Sequence, residues 1–147
     1  MSQENVEEQD LPLEEYHGAG HEIRNGNPDA YKGLYSRRDD VSLANPFGPP
    51  VRGWNEVSAT LDRAAANYRD GEIVGFENVS TVITPDLAYT VEIENYRARV
   101  GGAEQLTPVS IRVTTTFRRE DGVWKLVHRH ADPITAQRPP ESVVQTN

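Results

Sequence analysis

The sequence contains no cysteine, which excludes a disulfide framework, a thiol nucleophile and a thiolate zinc site. It also has no apolar run near the ~20 residues needed to cross a bilayer. Its first residues, Met1-Ser2-Gln3-Glu4-Asn5, carry neither the basic nor the apolar segment of a secretion signal, so a cytoplasmic protein without a membrane partner is expected. There is no excess of positive charge either. The formal charge is −8, and Glu4, Glu7, Glu8, Asp10, Glu14 and Glu15, with no Lys or Arg among them, account for all but two of it. A leader of this kind is expected to be solvated and to repel phosphate backbones, which argues against nucleic acid as a partner.

The 147 residues that are present suit one domain large enough to enclose a core. No internal repeat or interior linker divides them. The reading is an acidic leader over 1–9, one domain over 10–133, and a flexible tail over 134–147, where Pro139 and Pro140 discourage regular structure.

Between Asp10 and Ile23, Leu13, Tyr16, Ala19, Gly20 and Ile23 recur at helical spacing, and Asn25-Gly26 stops the run. Asn27-Pro28-Asp29 starts a second helix, with Asn27 as cap and Asp29 at the positive end of the dipole. Val41 to Asn45 alternates as a short strand before the rigid loop Pro46 to Pro50. Trp54, Val57, Leu61, Ala64, Ala65 and Tyr68 mark a third helix, with Gly71 expected as a left-handed cap. Four extended segments follow, 73–83, 87–100, 109–119 and 123–132. The expected fold class is α+β, a curved antiparallel sheet wrapped around three N-terminal helices.

Asp121-Gly122 predicts a two-residue hairpin, because a type I′ turn needs positive φ at both positions. With Glu120 opposite Val123, regular pairing sets Phe117 against Leu126, Thr115 against His128, Val113 against His130 and Ile111 against Asp132. Both histidines then face the helices, and Arg112, Arg118 and Arg129 share a polar outer face.

This order of elements resembles the cone-shaped, cystatin-like roll of nuclear transport factor 2-like proteins, over residues 11–133. Within that fold it is most similar to SnoaL-like and ketosteroid-isomerase-like members. Asn25 to Tyr31, Ala44-Asn45-Pro46-Phe47-Gly48 with Gly53, and Phe117 to His128 carry the likeness. The resemblance implies a pocket and no cofactor. It also implies a catalytic aspartate where this chain has Asn45, and an amide cannot serve as a general base. The family's oxyanion-binding tyrosine and protonated aspartate fall near Ala19 and Thr115. Classical steroid isomerisation is therefore not expected.

The candidate catalytic pair is His128 and His130, since imidazole exchanges protons near neutrality. Asn45, Tyr31, Tyr35, Trp54, Val113, Thr115 and Phe117 are candidate walls for a small apolar or aromatic ligand, while Asp40 and Asp132 are candidates to orient the histidines. Three functional classes stay open. One is a cofactor-independent acid/base enzyme, an isomerase, cyclase or dehydratase. Another is a non-catalytic association or ligand-sensing module, favoured if no pocket exceeds a few waters. The third is a metal-dependent enzyme using His128-x-His130, with Asp132 completing a two-histidine, one-carboxylate set. A homodimer through the polar sheet face is expected, with its arginines paired to Glu92 or Glu94 of the second copy.

Overall fold

The computed structural model describes residues 11–145; the leader expected over 1–9 lies outside them. Helix α1 spans Leu13–Ile23 and buries Tyr16, Ala19, Gly20 and Ile23, the stripe read from the spacing. Helix α2, Asp29–Leu34, has Pro28 rather than the expected Asn27 at its N-cap position, with no side-chain cap there; Asn27 Oδ1, one residue further out, accepts the Asp29 N–H at 3.0 Å. Strands β1, Ser42–Ala44, and β2, Val51–Arg52, form a short hairpin around the proline-rich loop. Sequence reading missed β2, whose two residues are too few to show an alternation. Helix α3 spans Trp54–Ala66. The long strands are β3 (Tyr68–Ile83), β4 (Leu87–Val100), β5 (Thr107–Glu120) and β6 (Val123–Asp132). A single 3₁₀ turn, Pro140–Val143, lies in the segment expected to be irregular.

The sheet runs β2-β1-β6-β5-β4-β3, antiparallel except where β1 lies parallel to β6. One face of this curved, unclosed sheet receives the three helices. Val57 and Leu61 of α3 meet Leu43, Phe117, Trp124 and Leu126 of the sheet, all buried in one cluster with Tyr16, Tyr31 and Tyr35. Full burial of a side chain such as Leu61 or Phe117 contributes ~1.5–3 kcal/mol, which is how short helices of modest propensity are held. Among the described residues, no helix is long and apolar enough to cross a membrane.

The Asp121-Gly122 turn forms as expected, with φ of 51° and 80°, and Glu120 pairs with Val123. Regular pairing then fails after Phe117↔Leu126. The next pair is Thr116↔His128, so Val127 is an extra residue in β6. Such a bulge reverses the facing of everything beyond it. Arg129 and Ala131 turn inward and are buried, while His128, His130 and Asp132 turn outward beside Thr116, Thr114 and Arg112. The inward orientation expected for both histidines, and the outward one expected for Arg129, are therefore corrected.

A second correction concerns Gly71. Helix α3 ends at Asn67, and Gly71 lies inside β3, next to a register shift and to the left-handed Asp70 at φ 56°. Its missing side chain is what matters: a Cβ there would stand 2.7 Å from the Arg24 Cβ and 3.0 Å from the Arg24 carbonyl oxygen. Gly71→Ala is expected to lower stability by about 1–3 kcal/mol through this overpacking, measured as a shift in urea midpoint at unchanged slope.

Candidate ligand site

Strand β4 carries two carboxylates into the interior. Its inward residues are Ala88, Thr90, Glu92, Glu94, Tyr96 and Ala98, all buried, whereas Leu87, Tyr89, Val91 and Ile93 face out. The expectation that Glu92 and Glu94 face a second copy is therefore corrected: both point inward, although hydrophobicity alone would favour Val91 and Ile93 on the core side. The inverted pattern needs inward partners for the charges, since an unpaired buried carboxylate is strongly disfavoured. Helix α1 and strand β6 supply them.

Arg24, the C-terminal cap of α1, is 2% exposed and sends Nη2 to Glu94 Oε1 at 3.4 Å and Nη1 to the Gly20 carbonyl at 3.0 Å. Arg129, brought inward by the bulge, reaches the same Glu94 oxygen through Nη2 at 3.0 Å. Its Nε donates to Tyr16 Oη at 2.9 Å. The Tyr16 hydroxyl in turn donates to Glu94 Oε2 at 3.0 Å and accepts from Thr115 Oγ1 at 2.7 Å. Two guanidinium groups thus share one carboxylate. The second buried carboxylate, Glu92, is engaged by His17 Nε2 at 2.8 Å, and the His17 ring stacks on Phe76 at 3.8 Å.

Aromatic rings complete the surroundings. The Arg24 guanidinium lies 3.8 Å from the Tyr96 ring centroid, and Arg129 lies 5.4 Å from that of Tyr31. Gly20 lets them approach, because a Cβ there would meet Tyr96 Oη at 2.8 Å. Burial raises the Tyr16, Tyr31 and Tyr96 hydroxyls above the ordinary tyrosine range and keeps them protonated. Burial also opposes the charge on Arg129, but the oxygens of Tyr16, Tyr31 and Glu94 outweigh it and hold the group cationic.

A cavity of about 30 Å³ opens beside this network, room for about two waters. Arg24, Arg129 and Tyr31 give it a polar floor, and Leu43, Leu61 and Ile111 give it apolar walls. Asn45, Pro46 and the half-exposed Phe47 form its lip. Three polar atoms of these side chains are buried with no hydrogen-bond partner among the described residues: Arg24 Nε, Tyr31 Oη and Tyr96 Oη.

Of the residues singled out from sequence, Asn45 and Tyr31 line this cavity. Asn45 Oδ1 also accepts the Phe47 N–H at 3.0 Å, a local turn contact. Thr115 sits behind Tyr16. Tyr35, Val113 and Phe117 are buried packing residues and Trp54 stacks under Arg37 at 3.5 Å; none of the four lines the cavity. Across the sheet, His128 Nδ1 meets Ser42 Oγ at 2.8 Å and His130 Nε2 lies 3.3 Å from Asp132 Oδ2. Asp132 is also held by Arg112 at 2.7 Å, and Asp40 is clamped by both Nη atoms of Arg118 at 2.7 and 3.0 Å, away from either histidine. The three-ligand set imagined for a metal does not form: among the described residues, no three His, Asp or Glu side chains are arranged to hold an ion. Arg24, Arg129, Glu94 and Tyr16 were missed from sequence. Their one signal was a pair of carboxylates alternating with Thr90 and Tyr96 on β4.

Glu94→Gln would leave two buried guanidinium groups facing a neutral amide, and is expected to cost about 3–5 kcal/mol of unfolding free energy in urea denaturation. On the outer face, burial first and His130 second lower the His128 pKa below its ordinary value. The unfolded chain therefore takes up this proton first as pH falls. The stability that neutral His128 contributes is complete above about pH 6.5 and is lost as the pH drops through the lower folded value. His128→Asn is expected to flatten that part of a Tm profile recorded from about pH 5 to 8.

Comparison with known proteins fits this geometry. The SnoaL-like domain family matches residues 13–135. A candidate dehydratase of the nuclear transport factor 2-like family from Streptomyces avermitilis superposes with a TM-score of 0.71 at 20% identity, over 90% of this chain and 99% of that one. A ketosteroid isomerase-like protein from Erwinia carotovora atroseptica gives 0.72 at 18% identity, over 92% and 100%. A candidate calcium/calmodulin-dependent protein kinase type II association domain from Thiobacillus denitrificans gives 0.67 at 22%, over 84% and 92%. Such identities establish the fold alone. No curated protein matches the chain significantly. With the family match running from the start of α1 to just beyond β6, the chain belongs to the SnoaL-like domain family.

Proposed function

We propose that this protein binds a small anion-bearing molecule on the Arg24 and Arg129 floor and acts as a ligand-sensing module, without transforming what it binds. The observation that carries this reading is the pair of buried guanidinium groups, Arg24 and Arg129, lining a cavity with apolar walls, with Arg24 Nε lacking an acceptor among the described residues. A carboxylate supplies the missing acceptor and satisfies a guanidinium better than water does. The apolar walls retain the expectation of an apolar ligand body.

Two features support sensing over catalysis. Among the described residues, no histidine or carboxylate lines the cavity, so the side chains that commonly exchange protons near neutrality are not among its walls. The volume, about two waters, is also below what a pocket enclosing a whole substrate offers. The isomerase-like and dehydratase neighbours share the fold, and the association-domain neighbour is consistent with a binding role. In calorimetric titration, butanoate is expected to bind and butanol not. Arg24→Gln, its fold checked by circular dichroism, should weaken butanoate by at least about tenfold, or about 1.4 kcal/mol. Equal binding of butanol and butanoate would overturn the reading.

We also propose a homodimer through the outer sheet face, on grounds other than the expected charge pairing. Glu92 and Glu94 are buried within the cone and cannot meet a second copy's arginines. Instead, Val82, Leu87 and Tyr89 are exposed on that face at 38%, 49% and 39%. Light scattering is expected to give a dimer mass that Tyr89→Glu halves.

A further inference from the structure

Outside the cavity lies a groove of about 150 Å³, between α3 and the loop joining β1 to β2. The two spaces have Asn45, Phe47 and Ala64 in common. The cavity and the groove therefore lie on either side of the same side chains. Phe47, 46% exposed and 5.5 Å from the Tyr68 ring, forms the wall where they join. Along the groove the surface is mixed: Pro49 and Val51 on the loop side, Thr60 and Arg63 on the helix side. Arg63 is not committed to a carboxylate and donates to Thr60 Oγ1 at 2.9 Å, leaving the outer end of the groove polar.

From this continuity we infer that cavity and groove form one channel, and that its ligand class is an unbranched carboxylate. The head group occupies the arginine floor, and an apolar chain threads the neck at Phe47 to lie along α3. The inference rests on the anion seat proposed above and adds the shape of the molecule. The dimensions carry it. The inner space holds a head group and little else, so any further atoms must leave through the neck. An unbranched chain presents the smallest cross-section to the junction lined by Asn45, Phe47 and Ala64. An aromatic acid or a branched acid meets the neck with its widest part. The groove beyond shields several methylenes, each contributing roughly a threefold to fourfold gain in affinity when buried.

Gly48 offers a clean way to test the channel. It lines the groove but not the cavity, and a Cβ built on it meets nothing within 4 Å, so a large side chain there fills the groove without disturbing the fold. The experiment is calorimetric titration of the intact protein and its Gly48→Trp variant with acetate, butanoate, hexanoate and octanoate, and with benzoate. Wild type is expected to gain roughly threefold or more per methylene from butanoate onward and to bind benzoate more weakly than hexanoate. Gly48→Trp should keep the acetate affinity and lose the chain-length gain. If affinity stays flat beyond butanoate, or Gly48→Trp retains the gain, the channel is refuted while the anion seat stands. If no carboxylate binds at all, the seat and the channel both fall.

Discussion

A single extra residue in β6 governs what the interior of this protein contains. The Asp121-Gly122 hairpin aligns β5 and β6 regularly as far as Phe117 and Leu126, and Val127 then interrupts the ladder. Beyond it the alternation of side chains is inverted. Arg129 enters the cone, and two histidines leave it. Without the bulge the interior would hold imidazoles and no β6 cation, and the Glu94 carboxylate would have Arg24 alone for charge compensation. The bulge also brings His128 beside β1, where Ser42 pairs with it in the parallel ladder and through its hydroxyl.

The buried ionic network follows from that inversion. Glu94 receives Arg24 and Arg129 on one oxygen and Tyr16 on the other, so α1, β4 and β6 share one set of hydrogen bonds, which Thr115 extends to β5. Buried charges of this kind add little net stability compared with apolar packing, because their desolvation offsets most of their attraction. What they provide is arrangement. Helix α1 is held near its start by Tyr16 and at its end by Arg24; Gly20 leaves room for the guanidinium and the tyrosine hydroxyls, and Gly71 for the Arg24 backbone and Cβ. The same arrangement leaves Arg24 Nε, Tyr31 Oη and Tyr96 Oη without hydrogen-bond partners among the described residues. Unused donors on a buried cation are what an anion would satisfy in the proposed binding role.

Function in this fold depends on which side chains line the cone. Just after β1, Asn45 folds its side-chain oxygen back onto the following turn. His17 with Glu92 and His128 with His130 lie outside the cavity wall. What lines the cavity is fixed positive charge, a protonated tyrosine and apolar walls.

Sequence alone determined the local structure. Helical spacing in 13–23 and 54–66, the helix start after Asn27-Pro28 and the left-handed Asp121-Gly122 turn reflect interactions within a few residues, and the resemblance built on them identified the fold. Asn45 and Tyr31 were legible as wall residues for the same reason, since each sits beside a local landmark. Only the tertiary structure decided which face of β4 and of the end of β6 is inside. On β4 both faces carry apolar residues, and the choice went to the face whose carboxylates could be paired by Arg24, Arg129 and His17, residues 70, 35 and 75 positions away in the chain. On β6 one bulged residue carried no sequence mark, because Val127 is as suited to a regular strand as to a bulge. Facing is a property of register, and register is set by partners that are distant in sequence.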